Sequence, residues 1–282
     1  MRVCSLFVKK TSTKPDGVAV FWNEKKLKVK ESIEVSLDVP NGDESGKECI
    51  AQELLPATAQ KDTRLIILRR FLTDIDHELL SRSSQRGSVG AVVHFEHIDT
   101  PLDFVVATTH LFWDPMQEDV KLLQSRRMLR TIEAFISALD ASTPTIFSGD
   151  FNSLPDSKVY NFITKSNHFN SAYSQYGPDG EPPFTNVNGD AKTDDGKLVP
   201  RFVGTLDYIF YRSARYVLPF IRLPFSSTNQ RIRFPTPRMR PAALMEIMSF
   251  EDASKEVALP STISPSDHLP LLCEFHILPP SN

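Results

Sequence analysis

The sequence predicts an α/β protein in which a two-sheet β-sandwich is flanked by helices. Short β-type runs recur along the whole chain, and one long stretch has the spacing of an amphipathic helix. The connections between the runs differ greatly in length, so a regular winding of alternating strands and helices is not expected. Hydrophobic residues make up 40% of the chain and charged residues 24%, which is typical of a folded globular protein.

The length and charge of the chain limit its organisation and its partners. A chain of 282 residues can form one large domain, and we predict a single domain over 1–282. The formal net charge of −3 argues against nucleic-acid binding through an overall basic field. Any contact with RNA must therefore be local.

The cysteines and the apolar runs indicate a compartment. Cys4, Cys49 and Cys273 have no ligand-like spacing, so we expect neither a disulfide framework nor a zinc site. No run of about 18 apolar residues is present, and the apolar start at 1–7 is too short for a secretory signal. We therefore expect an intracellular protein without a membrane partner, cytoplasmic in the first instance, with the nucleus and the mitochondrion left open.

The first part of the chain contains five predicted strands and one insertion. The strands are predicted at 18–22, 28–35, 65–72, 88–95 and 104–109. The turn signal Lys14-Pro15-Asp16-Gly17 precedes the first of them, and the last ends in the polar pair Thr109-His110. Residues 41–63 are polar and have no sustained period, so we interpret them as a surface insertion.

The clearest helix is predicted at 117–139, where apolar residues recur every three or four positions. A strand at 143–147 and a short helix at 155–164 follow. Residues 175–197, dense in Gly, Pro and Asp, are predicted to be mostly loop, and strands are predicted at 206–211 and 269–278. Between these strands, 212–266 is an irregular connection rich in proline and arginine. Two arginine groups either face solvent or guide a phosphate backbone: Arg126, Arg127 and Arg130, and Arg231, Arg233, Arg238 and Arg240.

Two segments place polar side chains at the ends of predicted strands. His110 ends one strand before an aromatic loop, where it can bond a phosphate oxygen or, alternatively, cap the sheet. Asp150 and Asn152 lie two positions apart after Gly149, so they can point the same way from an extended segment. The alternative for this pair is an ordinary Gly-Asp turn in which Asn152 caps the next helix.

Two later segments add further candidates. Asp207 is a charge within an otherwise apolar strand, and burying it is costly unless it has a partner such as a histidine or backbone amides. Asp267 and His268 stand together at the start of the last strand, so both can project from one sheet edge. Hydrolysis of a phosphodiester requires a divalent metal, an aligned water, a proton acceptor and donors for the developing charge. Residues of these types meet those requirements if they converge.

Together the four segments resemble the endonuclease/exonuclease/phosphatase superfamily. Its motifs are a strand ending in Thr-His-Leu, then Gly-Asp-Phe-Asn, Leu-Asp-Tyr and Ser-Asp-His, which match 109–111, 149–152, 206–208 and 266–268. Further segments resemble the deadenylase branch of the superfamily, which includes nocturnin, the Angel proteins and the carbon catabolite repressor exonuclease. These segments are Trp113-Asp114-Pro115, Asp119-Val120-Lys121-Leu122-Leu123-Gln124, Phe184-Thr185-Asn186 and Phe202. The resemblance extends from about Lys14 to Phe275 and implies a DNase I-like sandwich.

The resemblance implies a role for each catalytic candidate. Asp150 would orient or deprotonate the attacking water and help to bind the metal, while Asn152 would hold the scissile phosphate. His268, oriented by Asp207, would stabilise the transition state, and His110 would contact the phosphate.

The same resemblance implies the ligands. Asp267 would bind Mg²⁺ directly or through water, with one or two ions and Mn²⁺ as an alternative. Pro115 and Phe202 would bracket an adenine, although a turn proline and a core phenylalanine are the plain alternatives. The implied substrate is the poly(A) tail of RNA, cleaved in the 3′-to-5′ direction with release of 5′-AMP, and the implied partners are proteins of a deadenylase complex.

The sequence departs from the superfamily at its beginning. Superfamily members begin with a strand carrying Asn and a second strand ending in Gln-Glu, whose glutamate binds magnesium. Here Gln52-Glu53 and Gln117-Glu118 both stand elsewhere. We therefore expect a fold that lacks its first strands, exposing an edge and part of its core, and a weakened metal site. The alternatives to an RNA exonuclease are a phosphatase or phosphodiesterase acting on a small phosphoester, and a non-catalytic RNA-binding module.

Overall fold

The computed structural model describes residues 3–11, 13, 15–38, 78–100, 102–139, 143–178, 180–213 and 238–278. Their strands, in chain order, are β1 Val3–Lys9, β2 Gly17–Asn23, β3 Leu27–Ser36, β4 Val89–His97, β5 Asp103–His110, β6 Thr145–Asp150, β7 Asn170–Ser171, β8 Asn186–Lys192, β9 Leu198–Gly204, β10 Asp207–Arg212, β11 Arg238–Leu244 and β12 Cys273–Leu278. The helices are α1 Glu118–Ser137, α2 Lys158–Asn161, a π-helix Phe162–Ser166 and α3 Phe250–Ala253. Residues 78–83 are also helical.

A six-stranded sheet forms the centre of the fold, in the order β3-β4-β5-β6-β10-β7. Within it β5 and β6 run parallel, and the other neighbouring strands are antiparallel. Parallel neighbours need a crossover connection, and α1 supplies it between β5 and β6. This connection brings the ends of β5 and β6 to the same edge of the sheet.

Helix α1 covers one face of the central sheet. Its apolar stripe includes Leu129 and Ile132, which are at most 2% exposed and join a core with Val105 and Phe147 of the sheet. Each such buried side chain contributes about 1.5–3 kcal/mol to folding. The helix predicted at 117–139 is therefore confirmed by the packing of its apolar face.

Two small sheets cover the opposite face. In β4, Val92 faces the α1 core, whereas Ala91 and Val93 pack against β1 and β2. The antiparallel pair β11–β12 contributes Leu244 and Phe275 to a second core over the other face of β10. The predicted sandwich with helices on its outside is confirmed.

The pair β1–β2 also exposes apolar side chains. Phe7 is 54% exposed and Phe21 is 68% exposed. The two residues lie on one face of the pair, because Phe7 stands opposite Ala19 and Ser5 stands opposite Phe21. In the described part of the chain this face therefore presents apolar surface to solvent.

The structure corrects several predicted elements. Residues 175–197 are mostly loop, as predicted, but β8 lies within them and pairs with β9. Asn, Gly and Asp make β8 a poor strand by propensity, and pairing with β9 outweighs that propensity. The connection 212–266 contains β11 and α3, and the helix predicted at 155–164 is α2 continued by the π-helix. Strand β1 was not predicted.

Some predictions fall on residues outside the described ranges. They are the surface insertion at 41–63, the strand at 65–72, and Arg231 and Arg233. No helix in the described part of the chain is long and apolar enough to cross a membrane.

Candidate active site

Three strand ends meet at one edge of the central sheet. Asp150, at the end of β6, is the register partner of His110 in β5 and of Asp207 in β10. Directly paired residues on neighbouring strands have Cβ atoms about 4.5–5.5 Å apart, so their side chains can interact. The structure thus brings together three of the candidates: His110 and Asp150, which the sequence placed at strand ends, and Asp207, which it placed within a strand.

The segment after β6 aims two polar side chains at this edge. The backbone N–H of Asn152 donates to Asp150 Oδ1 at 2.8 Å, which closes a short turn. Asn152 has φ +47°, a left-handed conformation that asparagine tolerates better than most residues. Phe151 between them points into the core, where it contacts Phe147 and Phe210 edge to face. The buried ring therefore fixes the direction of its two polar neighbours.

A hydrogen-bonded chain orients His268. His268 Nδ1 lies 2.8 Å from Asp207 Oδ2, and the hydroxyl of Thr185 donates to the same oxygen at 2.7 Å. A carboxylate only accepts, so Nδ1 carries the proton of this bond. The bond raises the pKa of His268 to about 9, against the opposing effect of burial. His268 is thus an imidazolium at neutral pH, with Nε2 3.9 Å from Asp150 Oδ2.

We predict that Asp207→Asn will lower the pKa of His268 from about 9 toward its ordinary value of 6.5, because the charged acceptor is lost. Titration of the His268 ring protons by NMR measures this shift. Asp103→Asn is the matched control, since Asp103 bonds a different histidine, His94, at 3.1 Å. A His268 that already titrates near 6.5 in the unmodified chain would contradict the assignment.

Asp150 is a poised carboxyl group. Burial, followed by repulsion from Asp207, raises its pKa to about 7, although the bond from the Asn152 amide and the charge of His268 act in the opposite direction. A carboxyl group with a pKa near the working pH can take a proton from water and release it again. Positive charge brought to this edge would favour its ionised form.

His110 is held neutral beside a lysine. Burial, with the nearby charge of Lys10, lowers its pKa to about 4. Lys10 Nζ lies 3.4 Å from His110 Nδ1 and 2.7 Å from Asp16 Oδ2. A lysine ammonium only donates, so Nδ1 accepts and the ring proton is on Nε2. This proton faces Asp150, whose Oδ2 is 3.4 Å away.

The two carboxylates of this site fit a hard divalent cation, with the protonated His268 beside them as a donor. Ligand atoms of Asp150, Asp207 and His268 all lie within 4.8 Å of one another. The two hydrogen bonds to Asp207 reach Oδ2, so among the described residues its Oδ1 is left for another partner. Magnesium binds to one or two carboxylates and keeps several waters, and a cation would relieve the repulsion that raises the pKa of Asp150.

Asp267 lies beside this cluster. Its Oδ2 accepts a hydrogen bond from Asn186 Nδ2 at 3.3 Å, and its backbone carbonyl accepts from Val187. Its neighbour His268 forms a bridge with Asn186. The start of β8 thus holds the Asp267-His268 segment against the site. Asp267 is not one of the three groups that form the compact cluster.

The two residues predicted to bracket a base lie on separate elements. Pro115 is exposed on the loop between β5 and α1. Phe202 in β9 is half-buried, and a Cβ placed on Gly204 would meet both its ring and the side chain of Leu154. Phe202 and Leu154 therefore form one apolar wall over Gly204.

Three site residues were not predicted from the sequence. Lys10 reaches His110 from the end of β1, across 100 positions of sequence. Thr185, just before β8, supports Asp207, and Asn186, the first residue of β8, supports Asp267. Thr185 and Asn186 stood within a segment that resembles the deadenylase branch, which was the available signal for them. Lys10 had no local signal.

Comparison with known proteins gives the chain its relatives. It is 28% identical over 297 residues to carbon catabolite repressor protein 4 homolog 4 of Arabidopsis thaliana, covering 96% of this chain and 60% of that protein. It is 26% identical over 266 residues to a probable CCR4-Not complex 3′-5′-exoribonuclease subunit Ccr4 of Vairimorpha ceranae, covering 93% of this chain and 45% of that protein. The chain thus spans about half the length of these relatives. No family model matches it.

Solved structures show the same fold. The catalytic domain of human Nocturnin with bound sulfate superimposes with a TM-score of 0.60 at 20% identity, covering 98% of this chain and 72% of that one. The structure of ANGEL2, described as a 2′,3′-cyclic phosphatase, gives a TM-score of 0.64 at 21% identity, covering 97% and 74%. The chain has the endonuclease/exonuclease/phosphatase (DNase I-like) fold. Its sequence relatives are named as a probable Ccr4 3′-5′ exoribonuclease subunit and as a carbon catabolite repressor protein 4 homolog.

Proposed function

We propose that the chain is a magnesium-dependent phosphodiesterase that removes nucleotides from the 3′ end of poly(A) and releases 5′-AMP. The observation that carries this proposal is the convergence of Asp150, Asp207 and His268 at adjacent strand ends, with His110 beside them. Asp150 as a proton acceptor, His268 as a charged donor held by Asp207, and His110 as a neutral donor then surround one small region. Phosphodiester hydrolysis needs these groups together.

Asp150 is proposed to activate the attacking water. Its pKa of about 7 matches a group that accepts a proton near neutral pH. A magnesium ion, held by Asp150 directly and by Asp267 through water, would neutralise phosphate charge and favour ionisation of a bound water. The proton acceptor and the metal-binding edge are then the same place.

Two histidines are proposed to stabilise the charge that develops on the phosphoryl oxygens. His268 offers a charged Nε2–H, because Asp207 holds Nδ1 and keeps the ring protonated. His110 offers a neutral Nε2–H, because Lys10 occupies its Nδ1 side. Such donors contribute most where their positions are fixed before the reaction. Both rings are fixed by a partner on the opposite nitrogen.

Asn152 is proposed to hold the scissile phosphate. Its Nδ2 donates to Leu111 O at 3.1 Å and to Asp150 Oδ2 at 3.2 Å. Both amide hydrogens are thus in use, so binding a phosphate oxygen requires exchange of the bond to Asp150. That exchange would leave Oδ2 of Asp150 available to water when the substrate binds.

Adenine is proposed to lie between Pro115 and the apolar wall of Phe202 and Leu154. Aromatic and apolar faces stack on bases with little dependence on sequence, and each stacked base contributes about 1–3 kcal/mol. Such a wall explains how a chain of net charge −3 can bind RNA locally. The preference for adenine over other bases follows from the resemblance alone.

The metal site is proposed to be weak in the chain as given. The compact donor group in the described residues has two aspartates and one histidine and contains no glutamate. Magnesium affinity depends on few protein ligands, so the loss of one carboxylate lowers it strongly. We therefore expect slow hydrolysis that increases with magnesium concentration well beyond the low millimolar range.

The test uses the purified 282-residue protein with a 5′-labelled oligoadenylate and increasing Mg²⁺. We expect stepwise shortening from the 3′ end with 5′-AMP as product, and no shortening by Asp150→Ala at any magnesium concentration. Rates that saturate at low millimolar Mg²⁺ would contradict the weak metal site. No shortening at any concentration, or equal shortening by the variant, would contradict the proposed activity.

Parallel substrates separate the alternatives. Preferential hydrolysis of a small phosphoester, such as a cyclic nucleotide, over oligoadenylate would favour a phosphatase. RNA binding that is unchanged by Mg²⁺ and by Asp150→Ala, with no product formed, would favour a non-catalytic RNA-binding module.

Because relatives are named as CCR4-Not subunits, we also propose that the chain works beside deadenylase-complex proteins.

A further inference from the structure

A buried lysine lies directly behind the candidate active site. Lys121, in the first turns of α1, is 4% exposed, and its ammonium donates to the backbone carbonyl of Asn152 at 2.6 Å. Among the described residues this is the only hydrogen bond from the Lys121 ammonium. Burying a lysine is costly, so the contact that it makes is expected to matter.

The contact is made at a residue whose backbone adopts a left-handed conformation. Asn152 has φ +47°, and a residue other than glycine in this conformation needs support from its surroundings. The backbone N–H of Asn152 is fixed by Asp150, and its side-chain amide by Leu111 O and Asp150. Lys121 fixes the remaining polar group, the carbonyl. All the hydrogen-bonding groups that set the direction of Asn152 are then accounted for, except its own Oδ1.

The same helix fixes the neighbouring loop. Gln124, one turn after Lys121, is fully buried, and its Oε1 accepts from the backbone N–H of Phe112 at 2.8 Å. Phe112 follows His110 and leads to Pro115. One helical face therefore bonds both segments that carry the proposed phosphate and base contacts, so their separation is set by a rigid element.

We propose that Lys121 is a positioning residue that holds Asn152 in its left-handed conformation, with its amide directed at the scissile phosphate. The expected effect of Lys121 on the rate of hydrolysis rests on the proposed function. The structural part of the inference concerns only Asn152 and can be tested without any substrate. Lys121 acts through Asn152 and is not proposed to touch the substrate.

The decisive variant is Lys121→Met, which keeps a long chain and loses the donor and the charge. Ser125→Ala is the matched control, because Ser125 is also buried one turn later and, within the described ranges, its hydroxyl bonds only the backbone of α1, at Lys121 O. We expect the backbone and side-chain amide signals of Asn152 to move in ¹H–¹⁵N spectra of Lys121→Met and to stay in place in Ser125→Ala. We expect kcat to fall about 10- to 100-fold with KM changed less than about threefold.

Lys121→Arg adds a second arm, since it keeps a charged donor and is expected to recover kcat to within about tenfold of the unmodified chain. Unmoved Asn152 signals in Lys121→Met would overturn the proposal, whatever the rates. Equal losses of kcat in Lys121→Met and Ser125→Ala would also overturn it, because the effect would then be general to the helix. If the unmodified chain shows no hydrolysis, the proposed function fails, and the Asn152 spectra still decide the role of Lys121.

Discussion

Replacing Asp150 with asparagine should abolish hydrolysis and at the same time stabilise the folded protein. Asparagine can still accept the bond from the Asn152 amide, so the turn is kept, but it can neither accept a proton nor bind a cation well. The buried charge next to Asp207 disappears. We expect a fall of at least about 10³-fold in rate and a gain of about 2 kcal/mol in unfolding free energy at pH 8 without metal.

The contribution of Asp150 to the free energy of unfolding depends on pH with a defined sign. The folded-state pKa of Asp150, about 7, lies above the ordinary value of 3.8. The folded state then binds this proton more tightly, so the contribution of Asp150 to stability falls as pH rises from about 4 to about 7 and is constant above that range. Asp150→Asn should lose this decline.

Thermal unfolding in EDTA between pH 4 and 8 checks both statements. Asp190→Asn is the control, because Asp190 is exposed on β8, away from the cluster. A gain of about 2 kcal/mol corresponds to a rise of about 4–8 °C in Tm for a domain of this size. A variant that is inactive but less stable than the parent at pH 8 would show that Asp150 is not strained by its surroundings.

Gly149→Ala should be among the most destabilising single substitutions in the described part of the chain. A Cβ at this position would lie 2.0 Å from the carbonyl oxygen of Thr109, which is backbone of the adjacent strand β5. Gly149 also has φ +150°, which side chains rarely allow. Either β5 and β6 separate at the catalytic edge or the turn changes, and we expect a loss of about 3–5 kcal/mol.

Chemical denaturation of the variant measures this loss, and Gly177→Ala is the control because a Cβ there meets nothing within 4 Å. The control should stay within about 0.5 kcal/mol of the parent. If Gly149→Ala matches the control, then the close approach of β5 and β6 is not a feature of the folded chain. If it folds with a small loss and no activity, the turn has changed and the strands have not.

The sequence could predict the parts of the site that follow strand ends. His110, Asp150 and Asp207 each stand where an apolar run stops or is interrupted, and the strand register brings such positions to one edge. Lys10 could not be found in this way, because it meets His110 only after β1 packs on the central sheet. Its position depends on tertiary structure that no local pattern records.

The fold was predictable to a similar depth. Helix α1 has a strong apolar period and was found within two residues of its observed bounds. Strand β8 was missed because it contains Asn, Gly and Asp, which have low strand propensity. Its formation depends on pairing with β9 and not on its own side chains. The segment is nevertheless important, since it begins with the asparagine that holds Asp267.

The burial of β4 on both of its faces has a mechanical consequence. All but its last two residues are shielded on both sides, by α1 on one face and by β1–β2 on the other. Three packed layers resist bending, so the edge of the sheet next to β4 is expected to be rigid, and the loops around that edge are expected to be more easily deformed. Selectivity among ligands would then depend on those loops, and the chemical step on the residues at the rigid strand ends.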